Sequence, residues 1–514
     1  MSAPSGKTLA FWIAATVGWL AFTALLDRLG IPTILLLLLH VLAIGIVLLR
    51  IGRETAVGEG SAFLTPEREG PTALTPYGTA AAWVSGFGTI GIVVAISMHG
   101  PIAYALIGGI AGGMVIAQTI LAPALADSGA RSLSDWAGWR FGDAAERVAV
   151  FLLVLAGVAV LTLQFGFAAL LADAVLGVPA WVLLPFVAAL TLLVILPGGL
   201  GTMVPAQATL YLVLFVGILV PALWLGMSET GIAVPYVASG ALLHEIAVAE
   251  EKLGLSRTAQ PLATMVLGLT ALFGTLALPH TLARWPAERD GIQAQWFAQR
   301  GTVLVILVLA AIPLFVVNMR AGQLLAALMD GKTLPSYDTP SSALVGGMAT
   351  LDPPGWLIAA LAVGALAAIV AASASAVFLV MTTSGGDPQR ETAGGHLSRC
   401  RWIGAGAVAL ALVLALVSPV DPVAGFLGLM AWAASALLAP LFLGLLWFGM
   451  TARGALTGLL AGTSTCALLG ILGWGAIEGV ALIGLAVSTL ASVIVSVIWD
   501  EPNLSPPISF SSTE

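Results

Sequence analysis

Charge is scarce in this sequence: 9% of its 514 residues are Asp, Glu, Lys or Arg. A water-soluble domain carries about a quarter, so most of this surface meets something other than water. Cysteine is nearly missing too. Cys400 and Cys466 are the two present, which excludes a disulfide framework, and neither has His or Cys company at metal-ligand spacing. Both read as small buried apolar residues. The net charge of -7 excludes the basic footprint of a nucleic-acid binder. Also lacking are a polar stretch long enough for a separate soluble domain and, within the apolar runs, any paired-carboxylate, metal-ligand or nucleophile–base set. The chain therefore reads as no enzyme, with no cofactor required.

What is abundant is apolar sequence, at a mean hydropathy of +1.04. About 20 apolar residues of helix cross a bilayer core, and the runs here have that length. They lie near 8–26, 31–50, 78–98, 101–126, 147–174, 180–197, 204–226, 262–281, 299–319, 355–381, 402–418, 422–448, 453–473 and 476–499. The expectation is an all-α integral membrane protein of about 14 transmembrane helices. Barrel strands would alternate in polarity over about ten residues, a pattern not seen here. The first run follows Lys7 and meets Asp27 and Arg28 with no small-residue cleavage site, so it reads as an anchor rather than a cleaved signal.

Cytoplasmic loops retain positive charge. Alternating the runs leaves Arg28, Lys252, Arg257, Arg320 and Lys332 on one face and the other 14 of the 19 Lys and Arg on the face of the two termini. Both termini are thus expected to be cytoplasmic, in a multi-pass protein of the cell's inner membrane. The longer loops, 227–261 and 320–354, fall on the external face. The first carries a helix-like stretch, His244 to Lys252; the second, rich in Pro, Ser and Gly, reads as a lid or an ordered loop. The tail 500–514, with Pro502, Pro506 and Pro507, is expected to be disordered.

Two runs at corresponding places are interrupted by glycine: Ser85-Gly86-Phe87-Gly88-Thr89-Ile90-Gly91 in the third, and Gly268 to Thr275 in the eighth. Starting two five-helix units at these runs makes the broken helices the first of each, and an odd number of helices inverts one unit against the other. That pattern is expected of secondary transporters, whose unwound segments expose backbone groups near the midplane. The division is then 1–50 for two N-terminal peripheral helices, 78–226 and 262–448 for the repeats, and 453–499 for two C-terminal peripheral helices. Gly108, Gly109, Gly112 and Gly113 in the fourth run read as packing glycines.

Several segments together resemble the sodium/solute symporter family, and most closely its acetate-permease-like, monocarboxylate branch. Leu272-Phe273-Gly274-Thr275-Leu276-Ala277-Leu278-Pro279-His280-Thr281-Leu282-Ala283-Arg284-Trp285 is similar to the branch's Phe-Gly-Thr, Leu-Pro-His, Arg-aromatic signature. Gly198-Gly199 followed by Gln207 resembles the motif that opens the fifth core helix, and Gln164 sits where the third core helix usually has glutamine. Ser132 to Gly142 resembles the cytoplasmic loop before that helix. The resemblance runs from about residue 40 to 450 and implies the leucine-transporter-like 5+5 inverted-repeat core. It also implies a sodium site built from backbone carbonyls at Ala80 and Trp83 and from hydroxyls at positions that are here Ala371 and Ala372. Methyl groups stand where oxygen ligands are expected. A slip of two residues brings Ser373 and Ser375 to the site, where the alternative is a bond to a carbonyl one turn back. The coupling ion is left as sodium or a proton.

Ionisable groups at membrane depth are costly and ask for a reason. Asp173 and His99 lie at external ends, and His40 sits outside the inferred core. His280 and Arg284 share a helix face by their spacing of four, beside Pro279, which ends or kinks the helix. Two readings stand side by side: proton exchange and carboxylate pairing, or a helix cap and an arginine reaching the interface. Ser85, Thr89, Gln164, Thr270 and Thr275 offer uncharged polar contacts to a small anion, and Trp83 and Phe87 read as a pocket wall, a gate or packing. Ser85, Phe87, Thr89, Gln164, Thr270, Thr275 and His280 form the candidate substrate site. The expected function is a secondary-active symporter that imports a small organic solute, such as acetate, on a cation gradient by alternating access, with membrane lipid around it. The alternative is a sensor of the same fold acting on a separate regulatory partner.

Overall fold

In lipid a backbone must satisfy its own polar groups, and helix is the local way to do so. The computed structural model describes residues 6–57, 63, 74–252, 260–288, 290–330, 339–351, 353–385, 393–473 and 477–499, and all regular structure among them is helical. The first half runs α1 (Gly6–Arg28), α2 (Thr33–Glu54), α3 (Thr75–His99), α4 (Tyr104–Asp127), α5 (Leu133–Phe141), α6 (Asp143–Leu176), α7 (Ala180–Ile195), α8 (Leu200–Thr230) and α9 (Pro235–Lys252). The second runs α10 (Pro261–Ala277), α11 (Pro279–Ala287), α12 (Gly291–Leu309), α13 (Ile312–Asp330), α14 (Pro340–Leu351), α15 (Gly355–Ser384), α16 (Ala393–Val417), α17 (Pro422–Leu446), α18 (Ala452–Ile471) and α19 (Ile477–Ile498).

Among the described residues eleven helical stretches are long and apolar enough to cross a membrane, twelve with the bent pair α10–α11 taken as one span. The expected count of about fourteen further takes in α1 and the sixteen-residue α7. In their most apolar stretches α3 is 94% and α15 89% buried, against 28% for α2, α16 and α19. The first pair therefore forms the centre and the others a lipid-facing rim. On α15 converge the first half of α3, α6, α8 and α2.

The two breaks have different causes. In α3 the chain turns at Ser85 and continues through a wide π turn, Phe87–Gly91, within the segment where the sequence places an interruption. Between α10 and α11 the break is at Leu278, with φ -62° and ψ 111°, because a following proline pushes its neighbour out of the helical region; the two pieces meet at 42°. The expectation that Gly268 to Thr275 interrupts this span is corrected, since those residues lie inside continuous helix. Their small size serves packing: a Cβ on Gly109 would run into the Gly268 carbonyl, and one on Gly113 into the Leu272 carbonyl, so α4 and α10 touch backbone to backbone.

The run at 299–319 lies within one span, Gly291–Leu324, with a turn at residues 310–311 ahead of Pro313, which has no N–H to donate to Leu309. One further expectation is corrected. The described residues of 320–354 are largely helix rather than loop: α13 carries on through Leu324-Leu325-Ala326-Ala327, strong helix formers, and α14 starts on Pro340. At that start the Thr339 and Ser342 side chains cap each other's backbone N–H, each at 3.2 Å. The helix expected near His244 begins earlier, at Pro235. Arg320 of α13 donates to Glu250 Oε1 of α9 at 2.9 and 2.6 Å, tying this helix to the bundle. The tail expected to be disordered lies outside the described residues.

Candidate functional site

Ser85 has φ 54° and ψ 179°, a backbone region that side chains normally forbid, and is the one non-glycine with positive φ among the described residues. Such a conformation costs about 1–3 kcal/mol and persists only where its surroundings hold it. Here the Gly86 N–H donates to Gln164 Oε1 of α6 at 2.9 Å, and Thr89 Oγ1 donates to the Ser85 and Gly86 carbonyls, 3.2 Å each. A Cβ on Gly86 would lie 2.8 Å from Phe167 and 2.9 Å from both Gln164 and Ile369, so glycine is required for α3 to approach α6 this closely. One residue on, Phe87 stacks on Phe426 with centroids 4.7 Å apart and meets Phe167 at 6.2 Å. The structure thus brings Ser85, Phe87, Thr89 and Gln164 together. Thr275 is buried against Gly113, its hydroxyl without a partner. Thr270 lies over a turn further up α10, off the face that carries Thr275.

Beyond the break, toward the face that carries most of the positive charge, α3 meets α11. Arg284 Nη1 donates to Thr79 Oγ1 at 2.9 Å, while its Nε and Nη2 have no partner. His280 Nδ1 and Trp83 Nε1 are likewise unpartnered, and all three side chains are buried. These groups line a small cavity of about 10 Å³, the size of one water, with Ala82, Met203, Thr281, Ser375 and Phe378 in the rest of its wall. Of the residues singled out from the sequence, Trp83, His280, Arg284 and Ser375 line it. Thr79, Met203 and Phe378 were not; Thr79 carries a signal, as a hydroxyl one turn before Trp83. Just outside the span, burial pushes the Glu288 carboxyl above its ordinary range and the charge of Arg284 pulls it back. A wider groove of about 890 Å³ between α6, α16 and α17 is walled mainly by apolar side chains of the outer α6 face, away from this cluster.

The residues expected around sodium divide. Ala80 lies in the intact first half of α3, and Ala371 and Ser375 share a face of α15. There the Gln207 amide of α8 donates through Nε2 to the Ala371 carbonyl and to Ser375 Oγ, 2.8 Å each. Ala372 contributes a methyl. Ser373 sits two positions from Ser375, hence nearly opposite around the helix, on the side whose Ile369 and Val380 approach α3 and α6; its hydroxyl is buried without a partner. Gln207 matches a family motif in the sequence, but nothing there points to this contact.

A model of the sodium:solute symporter family matches residues 71–462. No curated protein matches. Among solved structures, a Na+-coupled sialic acid symporter in a substrate-bound outward-open state is 14% identical, with 92% of this chain and 98% of that one covered and a TM-score of 0.69. A nucleobase-cation-symport-1 family transporter with bromovinylhydantoin bound is 14% identical over 87% and 94% of the two chains, at 0.49. A manganese transporter of Eremococcus coleocola is 16% identical over 87% and 91%, at 0.39. At such identity the first likeness speaks to the fold, a leucine-transporter-like helical bundle.

Proposed function

We propose that this chain, which belongs to the sodium:solute symporter family, imports a small organic anion, a monocarboxylate such as acetate. Cation-coupled solute symport is the activity of the family and holds at that level for this multi-pass membrane protein. In the reading offered here the hinges at Ser85 and at Leu278-Pro279 flex around a central site, opening it alternately to the outside and to the basic, cytoplasmic face where both termini lie. The observation that carries the anion is Arg284: a buried guanidinium that feels the charge of Glu288 yet leaves Nε and Nη2 without a hydrogen bond, an arrangement that a hydrogen-bonding anion stabilises. A carboxylate fits its planar fork, and Trp83 Nε1 adds an N–H donor on the same void, beside the His280 ring. With one water's volume between them, they can receive a carboxylate only as α11 moves away from α3, so binding and hinge motion are linked.

The test is uptake of labelled acetate, propionate and their neutral amides into proteoliposomes under imposed sodium or proton gradients. Concentrative uptake of the acids and not the amides is expected. Truncating one partner of a buried charge pair costs about 2–5 kcal/mol, so Arg284→Gln should raise KM by about 30-fold or more. Uptake of neutral solutes alone, or an unchanged KM in Arg284→Gln, overturns the anion. Saturable binding without accumulation would mark the sensor reading instead.

A further inference from the structure

The sequence resemblance expects a cation between α3 and α15, with α15 oxygens drawn from residues 371 to 375. Two oxygens of that stretch, the Ala371 carbonyl and Ser375 Oγ, are bridged by one nitrogen, Gln207 Nε2, at 2.8 Å from each. A primary amide has two hydrogens on that nitrogen, and both are spent here. The flipped amide would set its oxygen 2.8 Å from the Ala371 carbonyl, lone pair against lone pair, so the assignment follows from the contact itself. Gln207 and Ser375 are buried; the amide oxygen of Gln207 turns toward Gly78 of α3 and Ser373 points to the opposite side of α15. A hard cation needs several oxygens converging on one point. The crevice between α8 and α15 offers it the positive ends of two N–H dipoles.

We infer that Gln207 is a built-in substitute for a metal cation: its amide hydrogens take up the α15 oxygens that a bound sodium ion would use, and they exclude sodium from them. The residue thereby determines ion specificity, and the coupling charge of the symport reading is a proton. Changing the amide to a carboxylate reverses the logic. In Gln207→Glu an oxygen replaces the bridging nitrogen and faces the Ala371 carbonyl, a repulsion that a sodium ion between them relieves.

Thermal unfolding of purified protein in detergent tests this without any transport. Choline and sodium chloride are compared at equal ionic strength. The wild type is expected to melt at the same temperature in both. Gln207→Glu should melt lower in choline and regain roughly 2–4 °C in sodium, as a ligand that binds only the folded state does; Gln207→Asp repeats the measurement if the glutamate variant does not fold. Gln207→Leu, with neither hydrogens nor charge, should ignore sodium. Sodium-specific stabilisation of the wild type overturns the inference, and so does a carboxylate variant indifferent to sodium. In proteoliposomes, solute uptake should follow the proton gradient and be equal in sodium and choline. Absence of uptake for every solute would sink the symport reading while leaving the melting result intact, so the two failures are distinguishable.

Discussion

Gln164→Leu removes the side chain that holds the α3 hinge open while nearly preserving its volume. The Gly86 N–H, which donates to Gln164 Oε1 at 2.9 Å, is then left buried without an acceptor, a loss of about 1–3 kcal/mol. The strain at Ser85, another 1–3 kcal/mol or so, loses its main restraint at the same time. Two responses are open to the chain. It keeps the break and bears the unmade bond, or Ser85 falls into the helical region and α3 becomes a continuous rod. The first lowers thermal stability; the second restores stability and abolishes the hinge. Either way transport suffers, with uptake expected to drop about tenfold or more for each 1.4 kcal/mol withdrawn from the productive conformation. Adding Ser85→Gly separates the terms, because glycine adopts a φ of 54° without penalty, and should recover the part that belongs to strain. The measurements are thermal inactivation half-life in detergent and initial uptake rate, for both single variants and the double. A Gln164→Leu protein as stable and as active as the wild type would refute the reasoning, since the hinge would then not depend on that hydrogen bond.

Helix packing gives a sharper steric contrast: Gly109→Leu forces a side chain against the Gly268 carbonyl and should cost at least about 3 kcal/mol, whereas at Gly108 nothing lies within 4 Å and leucine should be tolerated, so comparing melting temperatures of the two neighbours checks the α4–α10 contact. Between α9 and α13, Glu250→Gln weakens a partly buried pair, Glu250 17% and Arg320 24% exposed, worth about 1–2 kcal/mol. Hydrogen exchange across Pro235–Lys252 should speed up while α3 stays protected; equal exchange in both proteins would show that α9 is held by apolar contacts alone.

How much of this was legible beforehand depends on the range of the force involved. Helices were readable because lipid imposes length and polarity on every span, and the Leu278 break because Pro279 acts on its immediate neighbour. The glycines of the eighth run were misread because glycine permits both unwinding and close approach, and only the partner decides: Gly268 and Leu272 face the glycines of α4, more than 150 positions away in the chain. The loop at 320–354 was misjudged from its composition, in which Pro340 starts a helix and Ser342 helps to cap it. Gln207 is the extreme case. It bonds to residues 164 and 168 positions onward, and no local pattern reports such a contact.

The same comparison bears on how a hinge is specified. At Leu278 the break is covalent in origin, written by a proline, and persists in any state of the molecule. At Ser85 it is imposed from outside, by Gln164, by Thr89 and by the absence of a side chain at Gly86, against the preference of the residue that bends. A conformation held by neighbours can be released when those neighbours move; one held by proline cannot. If α3 and α6 shift relative to each other during transport, the energy stored at Ser85 becomes available to that step, whereas α10 and α11 remain two pieces throughout. The pair of hinges is therefore asymmetric in mechanism although similar in position, with α3 as the element able to switch and α11, carrying His280 and Arg284, as a rigid arm that moves its charge as a unit.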